Sequence, residues 1–249
     1  MAGWRMLALL GIAAASCLDC KRSKAGSAPP AASEAVSPAP PGPPNSDPGV
    51  DEIRDGDLFS VTIPSTRRAC FAYPAARFDA TKCPPGTKTI DESRFPTKAR
   101  PLAIAFFPLG VDGGGAMAQL TVSMNHMPDG GPVFQPVPFM ARAWARGLMK
   151  GVPTSFPGGT ARGDESRVRL LTAHGVPVAR FTYDVDGLSG AWKRYEHHVT
   201  YGIWSPEGIY TYALASVAQD ADAADAVADE MVASLRIAHL APPRPRHAP

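Results

Sequence analysis

A serine flanked by glycines is the most recognisable candidate for nucleophilic chemistry in this chain. Ser189 lies in Gly187-Leu188-Ser189-Gly190-Ala191, which approaches the G-x-S-x-G nucleophile elbow but ends in alanine. That motif works where a parallel strand turns sharply into a helix and exposes the serine hydroxyl. Here it joins two runs that predict antiparallel strands, Val176–Val185 and Trp192–Val199. We therefore do not expect a serine hydrolase.

Acidic and imidazole side chains near this serine are of the types that bind metal ions. Asp184 and Asp186 begin like a calcium loop, but the third acidic position is missing and Tyr195 stands where the bidentate glutamate belongs. His197 and His198 are neighbours on a predicted strand, so they point to opposite faces and cannot hold one ion together. We predict packing or surface roles for both histidines, and no metal site.

A glycine triplet, Gly113-Gly114-Gly115, is the feature that could cradle a phosphate. A phosphate-binding loop must open a helix after a strand and carry a lysine and a hydroxyl in the Walker arrangement. This triplet instead separates two runs that predict strands, Leu102–Phe107 and Ala118–Met124. We interpret it as a hairpin loop and predict no cofactor.

Two cysteines, Cys70 and Cys83, flank a proline-punctuated loop. In an exported chain this spacing predicts a disulfide, and closing a loop of about fourteen residues is worth on the order of 3 kcal/mol in the chain-entropy view. The alternative is a zinc site. It is disfavoured because the pair lacks the C-x-x-C spacing of zinc knuckles.

A basic stripe lies on a predicted helix from Pro138 to Lys150, which Gly151 and Pro153 should end. Arg142, Arg146 and Lys150 recur every four residues and so share one face. That face could meet anionic lipid headgroups or an acidic partner. The simpler reading is the solvated face of a helix that covers a sheet.

The N-terminus predicts export. Residues 1–16 have the build of a signal peptide, with Arg5 before the apolar run Met6–Ala15. Ala14-Ala15-Ser16-Cys17 resembles the bacterial lipobox, in which cleavage exposes a cysteine that is then acylated, although the usual leucine is replaced by Ala14. An ordinary signal peptidase cutting after Ala13-Ala14-Ala15 is the alternative. We favour a lipid anchor at Cys17, which places the protein at a membrane of the bacterial envelope, in the periplasm or on the outer surface.

Composition divides the rest of the chain into a tether (17–49), a domain (50–240) and a tail (241–249). The tether and tail are rich in proline, alanine and serine and lack the apolar density of a core, so we expect both to be disordered. Extended polyproline geometry, at about 3.1 Å per residue, would let some twenty-five residues of tether reach about 75 Å. The net charge is only +2 and basic residues are dispersed, which argues against nucleic acid.

The domain is predicted to be α+β. Val199–Trp204 and Ile209–Val217 should pair as a hairpin around Pro206 and Gly208. A helix from Asp220 to Leu235 follows, with Met231 among its apolar positions and Asp225 among the acidic ones that we assign to solvent. The other predicted strands are Leu58–Pro64, Arg167–Ala173 and the runs already named.

This layout resembles the PsbP-like family, which includes PsbP proteins, Mog proteins and bacterial lipoproteins. The resemblance covers about 58–237 and rests on Phe59-Ser60-Val61-Thr62-Ile63-Pro64, on Tyr210-Thr211-Tyr212-Ala213-Leu214 and on the helix running into Ser234-Leu235-Arg236-Ile237. It implies an antiparallel sheet of about six strands between helices, an α/β/α sandwich. It also implies a family that mostly binds or supports other proteins.

We therefore expect a non-enzymatic binding or assembly module with a protein partner of unknown identity. The alternative is a small-ligand binder or a hydrolase that uses a cleft at the sheet edge. Recognisable motifs do not assemble a nucleophile, a base and an orienting acid, which favours the first reading.

Lipidation can be checked directly on the mature protein. Mass spectrometry of the N-terminus should find an acylated Cys17. An unmodified N-terminus at Ser16 would reject the anchor while retaining export.

Overall fold

The computed structural model describes residues 51–64, 68–91, 99–110, 116–126, 138–205 and 208–237. The predicted signal peptide, Cys17, the tether and the tail lie outside the described residues, as do the Gly113–Gly115 triplet and Pro206.

Two helices and eleven strands make up this part of the chain. The strands are β1 Glu52–Asp55, β2 Phe59–Thr62, β3 Cys70–Tyr73, β4 Ala99–Pro108, β5 Met117–His126, β6 Thr160–Arg162, β7 Arg169–Ala173, β8 Val176–Asp186, β9 His197–Ser205, β10 Gly208–Ser216 and β11 Arg236–Ile237. The helices are α1 Pro138–Ser155 and α2 Ala221–Ala233.

All strand pairs in the described chain are antiparallel and form two sheets. The large sheet has the order β3-β4-β5-β10-β9-β8, and both β6 and β7 pair with the outer edge of β8. The small sheet has the order β1-β2-β11. The predicted β9–β10 hairpin is confirmed, and β10 also pairs with β5, which places it at the centre of the large sheet.

The two helices pack on opposite faces of the large sheet. Alternate residues of β8 show this, because Val178 belongs to the apolar cluster under α2 whereas Ala179 and Phe181 belong to the cluster under α1. The small sheet lies on the same side as α2, since Phe59 and Val61 join that cluster. The predicted α+β class with a mainly antiparallel sheet is therefore confirmed.

The expected count of about six strands is wrong. Four of the extra strands, β1, β3, β6 and β11, have only two to four residues each. Such short segments carry no sustained alternation of apolar and polar residues, and β3 is buried along its whole length. They form because a longer neighbour provides a ladder to pair with, which a local pattern cannot reveal.

The predicted strand from Trp192 to Val199 is also wrong in its first half. Gly190–Tyr195 forms a 3₁₀ helix, and β9 begins at His197. Trp192 and Tyr195 pack against Phe156, which follows α1, with ring centroids 6.1 and 5.2 Å away. The 3₁₀ helix at Gly190–Tyr195 thus brings Trp192 and Tyr195 into contact with Phe156, which is distant in sequence.

Helix α1 continues past its predicted end, with Pro153 inside it. Proline lacks the N–H that would bond to the carbonyl four residues earlier, which normally destabilises a helix interior. The last turn is nevertheless anchored, because Val152 and Ser155 are buried and the Phe156 N–H donates to the Val152 carbonyl at 2.7 Å. Tertiary burial thus overrides the local stop signal.

The predicted disulfide between Cys70 and Cys83 is present. The disulfide closes residues 70–83 into a loop, and the chain that follows this loop returns to β3, the strand at one edge of the large sheet. The Ile90 N–H donates to the Ala72 carbonyl at 2.9 Å, and the guanidinium of Arg77 lies 3.5 Å from the centre of the Phe71 ring. The segment therefore covers a sheet edge.

Burial on α2 predicts which substitutions the fold cannot tolerate. Met231 is fully buried and accepts a hydrogen bond from Tyr212 Oη at 3.0 Å on its Sδ atom. Met231→Asp should lower the free energy of unfolding by about 3 kcal/mol or more, because it replaces packed atoms with a buried charge. Chemical denaturation followed by circular dichroism measures this loss. Glu230 is one residue away and exposed, so Glu230→Ala should stay within about 0.5 kcal/mol of wild type. If Met231→Asp were as stable as Glu230→Ala, the burial of Met231 in α2 would be contradicted.

Candidate functional site

The two adjacent histidines of β9 lie on opposite faces of the large sheet, as predicted. His197 faces α2. Its Nδ1 lies 2.9 Å from Asp184 Oδ1 on β8 and its Nε2 lies 3.0 Å from Asp225 Oδ1 on α2. Because the second carboxylate comes from α2, the imidazole joins the helix to the sheet.

Arg180 of β8 extends this arrangement along α2. Its guanidinium lies 2.7 Å from Asp225 Oδ2 and donates from Nε to Asp229 Oδ1 at 3.0 Å. Tyr201 Oη donates to the same Asp229 carboxylate. We call His197, Asp184, Asp225, Arg180, Asp229 and Tyr201 the charge network. The helical pattern predicts that Asp225 faces solvent, but this side chain is half-buried and pairs with basic groups of the sheet. Asp229 is exposed and still pairs with Arg180.

The charge network shifts the pKa values of His197 and Asp225. Burial by itself would lower the pKa of His197, but hydrogen bonds and attraction from Asp225 and Asp184 outweigh it and raise that pKa. Burial would raise the pKa of Asp225, yet the hydrogen bonds and positive charges of His197 and Arg180 lower it. Both shifts favour the charged forms of His197 and Asp225.

His198 faces α1 and has a different environment. Its ring stacks on Tyr183 with centroids 4.7 Å apart, and its Nε2 bonds to the Tyr195 carbonyl at 2.8 Å. Full burial lowers the pKa of His198 to about 4. Tyr195, whose pKa burial raises to about 12, donates its hydroxyl to Gln119 Oε1 at 2.7 Å. These groups are neutral and paired, which fits a packing role.

The charge network does not have the layout of a catalytic triad. Each ring nitrogen of His197 contacts a carboxylate, so neither is left to take a proton from a nucleophile. Ser189 is exposed and precedes the 3₁₀ helix, where its carbonyl accepts from the Trp192 N–H. Asp186 pairs with Arg162 at 3.0 Å rather than forming a calcium loop with Asp184.

The described residues provide neither a metal-ligand cluster nor a membrane-spanning helix. Within these ranges, no group of three or more histidine, cysteine, aspartate or glutamate residues is placed to hold a metal ion. No helix in the same ranges combines the length and the apolar character needed to cross a bilayer.

Strand β7 is exposed at the other edge of the large sheet. In the described chain it pairs only with β8, where Leu170 lies opposite Ala179 and Leu171 opposite Val178. Leu170 therefore sits on the α1 face and Leu171 on the α2 face. Their exposed fractions are 42% and 41%. The sequence predicts a strand here but no binding site. The signal for a site is the pair of adjacent leucines, which a strand places on opposite faces.

The predicted basic stripe of α1 reaches the same edge of the sheet. Arg146 donates from Nε and Nη2 to the two carboxylate oxygens of Glu165, at 2.6 Å each. Glu165 belongs to the 3₁₀ turn between β6 and β7. Arg142 and Lys150 are exposed and have no ion pair among the described residues. We call β7 and the Arg142, Arg146 and Lys150 stripe the edge surface.

Comparisons with known proteins find similarity to a solved structure. No protein-family model matches the chain, and no curated protein matches it. The chain is similar to the solution structure of cyanobacterial PsbP (CyanoP) from Synechocystis sp. PCC 6803, with 15% identity, coverage of 79% of this chain and 100% of that chain, and a TM-score of 0.46. At this identity and TM-score, neither membership of a family nor a function follows from the likeness.

The two histidines should titrate far apart. In an NMR titration His197 should have a midpoint above its ordinary value of about 6.5, whereas His198 should stay neutral until about pH 4. Asp225→Asn should move the His197 midpoint down because it removes one of the two carboxylates, and Glu230→Gln should not. A His197 midpoint below 6.5 in wild type would contradict the charge network.

The same shift sets the sign of a stability effect. Because the folded pKa of His197 is raised, its proton stabilises the fold fully below about pH 6.5, and this contribution is lost as pH rises through the folded value. The stability difference between wild type and His197→Gln should therefore shrink as pH rises from 6 towards 9. Denaturation curves across that range measure it; a difference that grows would contradict the raised pKa.

Proposed function

We propose that this chain is a non-enzymatic binding module of the bacterial envelope, anchored by a lipid on Cys17, and that it holds a partner protein at the edge surface. The observation that carries the proposal is β7, a strand with one paired edge in the described chain and an exposed leucine on each face. Proteins usually protect such edges with charges, proline or a covering segment.

An exposed strand edge supports pairing with an extended segment of another chain. In this mode the main-chain N–H and C=O groups supply hydrogen bonds, and side chains on alternating faces supply specificity. Leu170 and Leu171 would contact apolar side chains of the added strand on both faces. A partner segment with neighbouring apolar residues fits this surface best.

Charge further defines the partner. Arg169 in β7, together with Arg142 and Lys150 of α1, is exposed and has no ion pair among the described residues. Basic side chains at the rim of an interface attract acidic partners and speed their association. We therefore propose a segment that combines apolar and acidic residues.

The predicted export features fit this role. A lipid anchor followed by a proline-rich tether would hold the domain away from the membrane, where an exposed strand edge can meet a partner. The resemblance of Phe59-Ser60-Val61-Thr62-Ile63-Pro64 to the PsbP-like family points in the same direction. That family mostly binds or supports other proteins.

Site-specific photo-crosslinking in cells tests the proposal. A photoreactive residue at position 170 or 171 should capture the same envelope protein, and one at Leu58, which is 38% exposed on a turn, should not. With that protein purified, Leu170→Glu/Leu171→Glu should weaken binding by about tenfold or more, because it removes the apolar contacts and adds charges that repel an acidic segment.

The matched control is Leu58→Glu, which should leave the affinity unchanged. Both variants should retain the wild-type melting temperature, since all three side chains are partly exposed. Unchanged affinity in the double variant would reject β7 as the binding edge.

A further inference from the structure

A cleft of about 580 Å³ lies at the C-terminal end of α2. Its walls are the outer face of the small sheet, the turn between β7 and β8 and the residues that follow α2. This volume is within the range of sites for small organic ligands.

Two arginines stand at this cleft, one on each side of a serine. Arg54 of β1 and Arg236 of β11 both lie opposite Ser60 of β2, so all three side chains point to the same face of the small sheet. Strands are spaced by about 4.8 Å, which places the two arginine Cα atoms about 10 Å apart. Both side chains are long enough to meet over Ser60.

The guanidinium groups keep donors for a ligand. Arg54 donates from Nε to Glu52 Oε2 at 2.6 Å, which leaves its terminal nitrogens without a partner among the described residues. Arg236 is exposed and has no ion pair among those residues. With Glu52 the only acidic residue of the lining, these groups carry a net charge of about +1.

The C-terminal end of α2 repels an anion less strongly than a helix end with unpaired carbonyls would. The Ser234 N–H donates to the Met231 carbonyl at 2.9 Å, and the Leu235 N–H donates to the Val232 carbonyl at 3.1 Å. His174 Nε2 donates to the Ala233 carbonyl. The last carbonyls of α2 are therefore paired, which reduces their negative potential in the cleft.

We infer that this cleft binds the phosphate group of a phosphate monoester through Arg54 and Arg236. Arginine forks form paired charge-assisted hydrogen bonds with oxyanions. Phosphate fits better than carboxylate because one fork occupies both oxygens of a carboxylate, whereas a phosphate monoester presents three oxygens to two forks. The phosphate could belong to a soluble ester or to a lipid headgroup.

Calorimetric titration of the full chain with phenyl phosphate at low salt tests the site. Arg54→Gln and Arg236→Gln should each weaken binding by about tenfold or more, because each removes a charge-assisted pair. Glu52→Gln should tighten binding, since it removes the one competing carboxylate. Arg169→Gln removes an exposed arginine elsewhere and should change nothing. Absence of millimolar binding by wild type, or binding by Arg54→Gln or Arg236→Gln that is as tight as that of wild type, would overturn the inference.

Vesicles distinguish the two sources of phosphate. The full chain carrying Cys17→Ser, which cannot be acylated at that position, is mixed with phosphatidic acid vesicles and separated by flotation. A headgroup ligand predicts that Arg54→Gln/Arg236→Gln reduces vesicle binding together with phenyl phosphate binding. A soluble ester predicts loss of phenyl phosphate binding alone. Loss of vesicle binding without loss of phenyl phosphate binding would contradict the site.

Discussion

The contact between α2 and the large sheet is the interaction on which the rest of the structure depends. Met231, Val227 and Ala228 pack into the main apolar cluster, while Asp225 and Asp229 bind basic groups of the sheet. Apolar burial supplies most of the free energy, at about 1.5 to 3 kcal/mol for a large side chain, whereas ion pairs removed from water often contribute little net stability. The charge network mainly aligns the helix. That alignment places the C-terminal end of α2 at the cleft that contains Arg54 and Arg236.

Strand alternation explains how the pKa values of two adjacent histidines shift in opposite directions. His197 meets carboxylates from β8 and α2, and its pKa rises, whereas His198 is enclosed by aromatic rings and its pKa falls to about 4. The difference comes from the surroundings on each face, since the residues are chemically identical and adjacent. As pH falls towards about 6.5, protonation of His197 therefore stabilises the fold, whereas between about pH 6.5 and 4 the buried, neutral His198 destabilises it.

The two edges of the large sheet differ in exposure: β3 is buried and β7 is exposed. At one edge, β3 is buried and the segment that begins with the Cys70–Cys83 loop runs along it. At the other edge, β7 presents leucines on both faces and basic residues nearby. An uncovered apolar edge carries a risk of aggregation, so its presence beside a covered one supports a binding role. The cleft that contains Arg54 and Arg236 lies on the small sheet and reaches the turn between β7 and β8.

Local patterns in the sequence determined the β9–β10 hairpin, the position of α2 and the Cys70–Cys83 pairing, because turn residues, helical spacing and loop length act between near neighbours. They also identified His197 and His198 as residues on opposite faces. The partners of those histidines, the roles of Asp225 and Asp229, the short strands and the extension of α1 through Pro153 were decided only by tertiary structure. So was the cleft, where Arg54 and Arg236 come from opposite ends of the described chain. Pairing and burial between distant segments determine these features, and no local periodicity encodes which segments will meet.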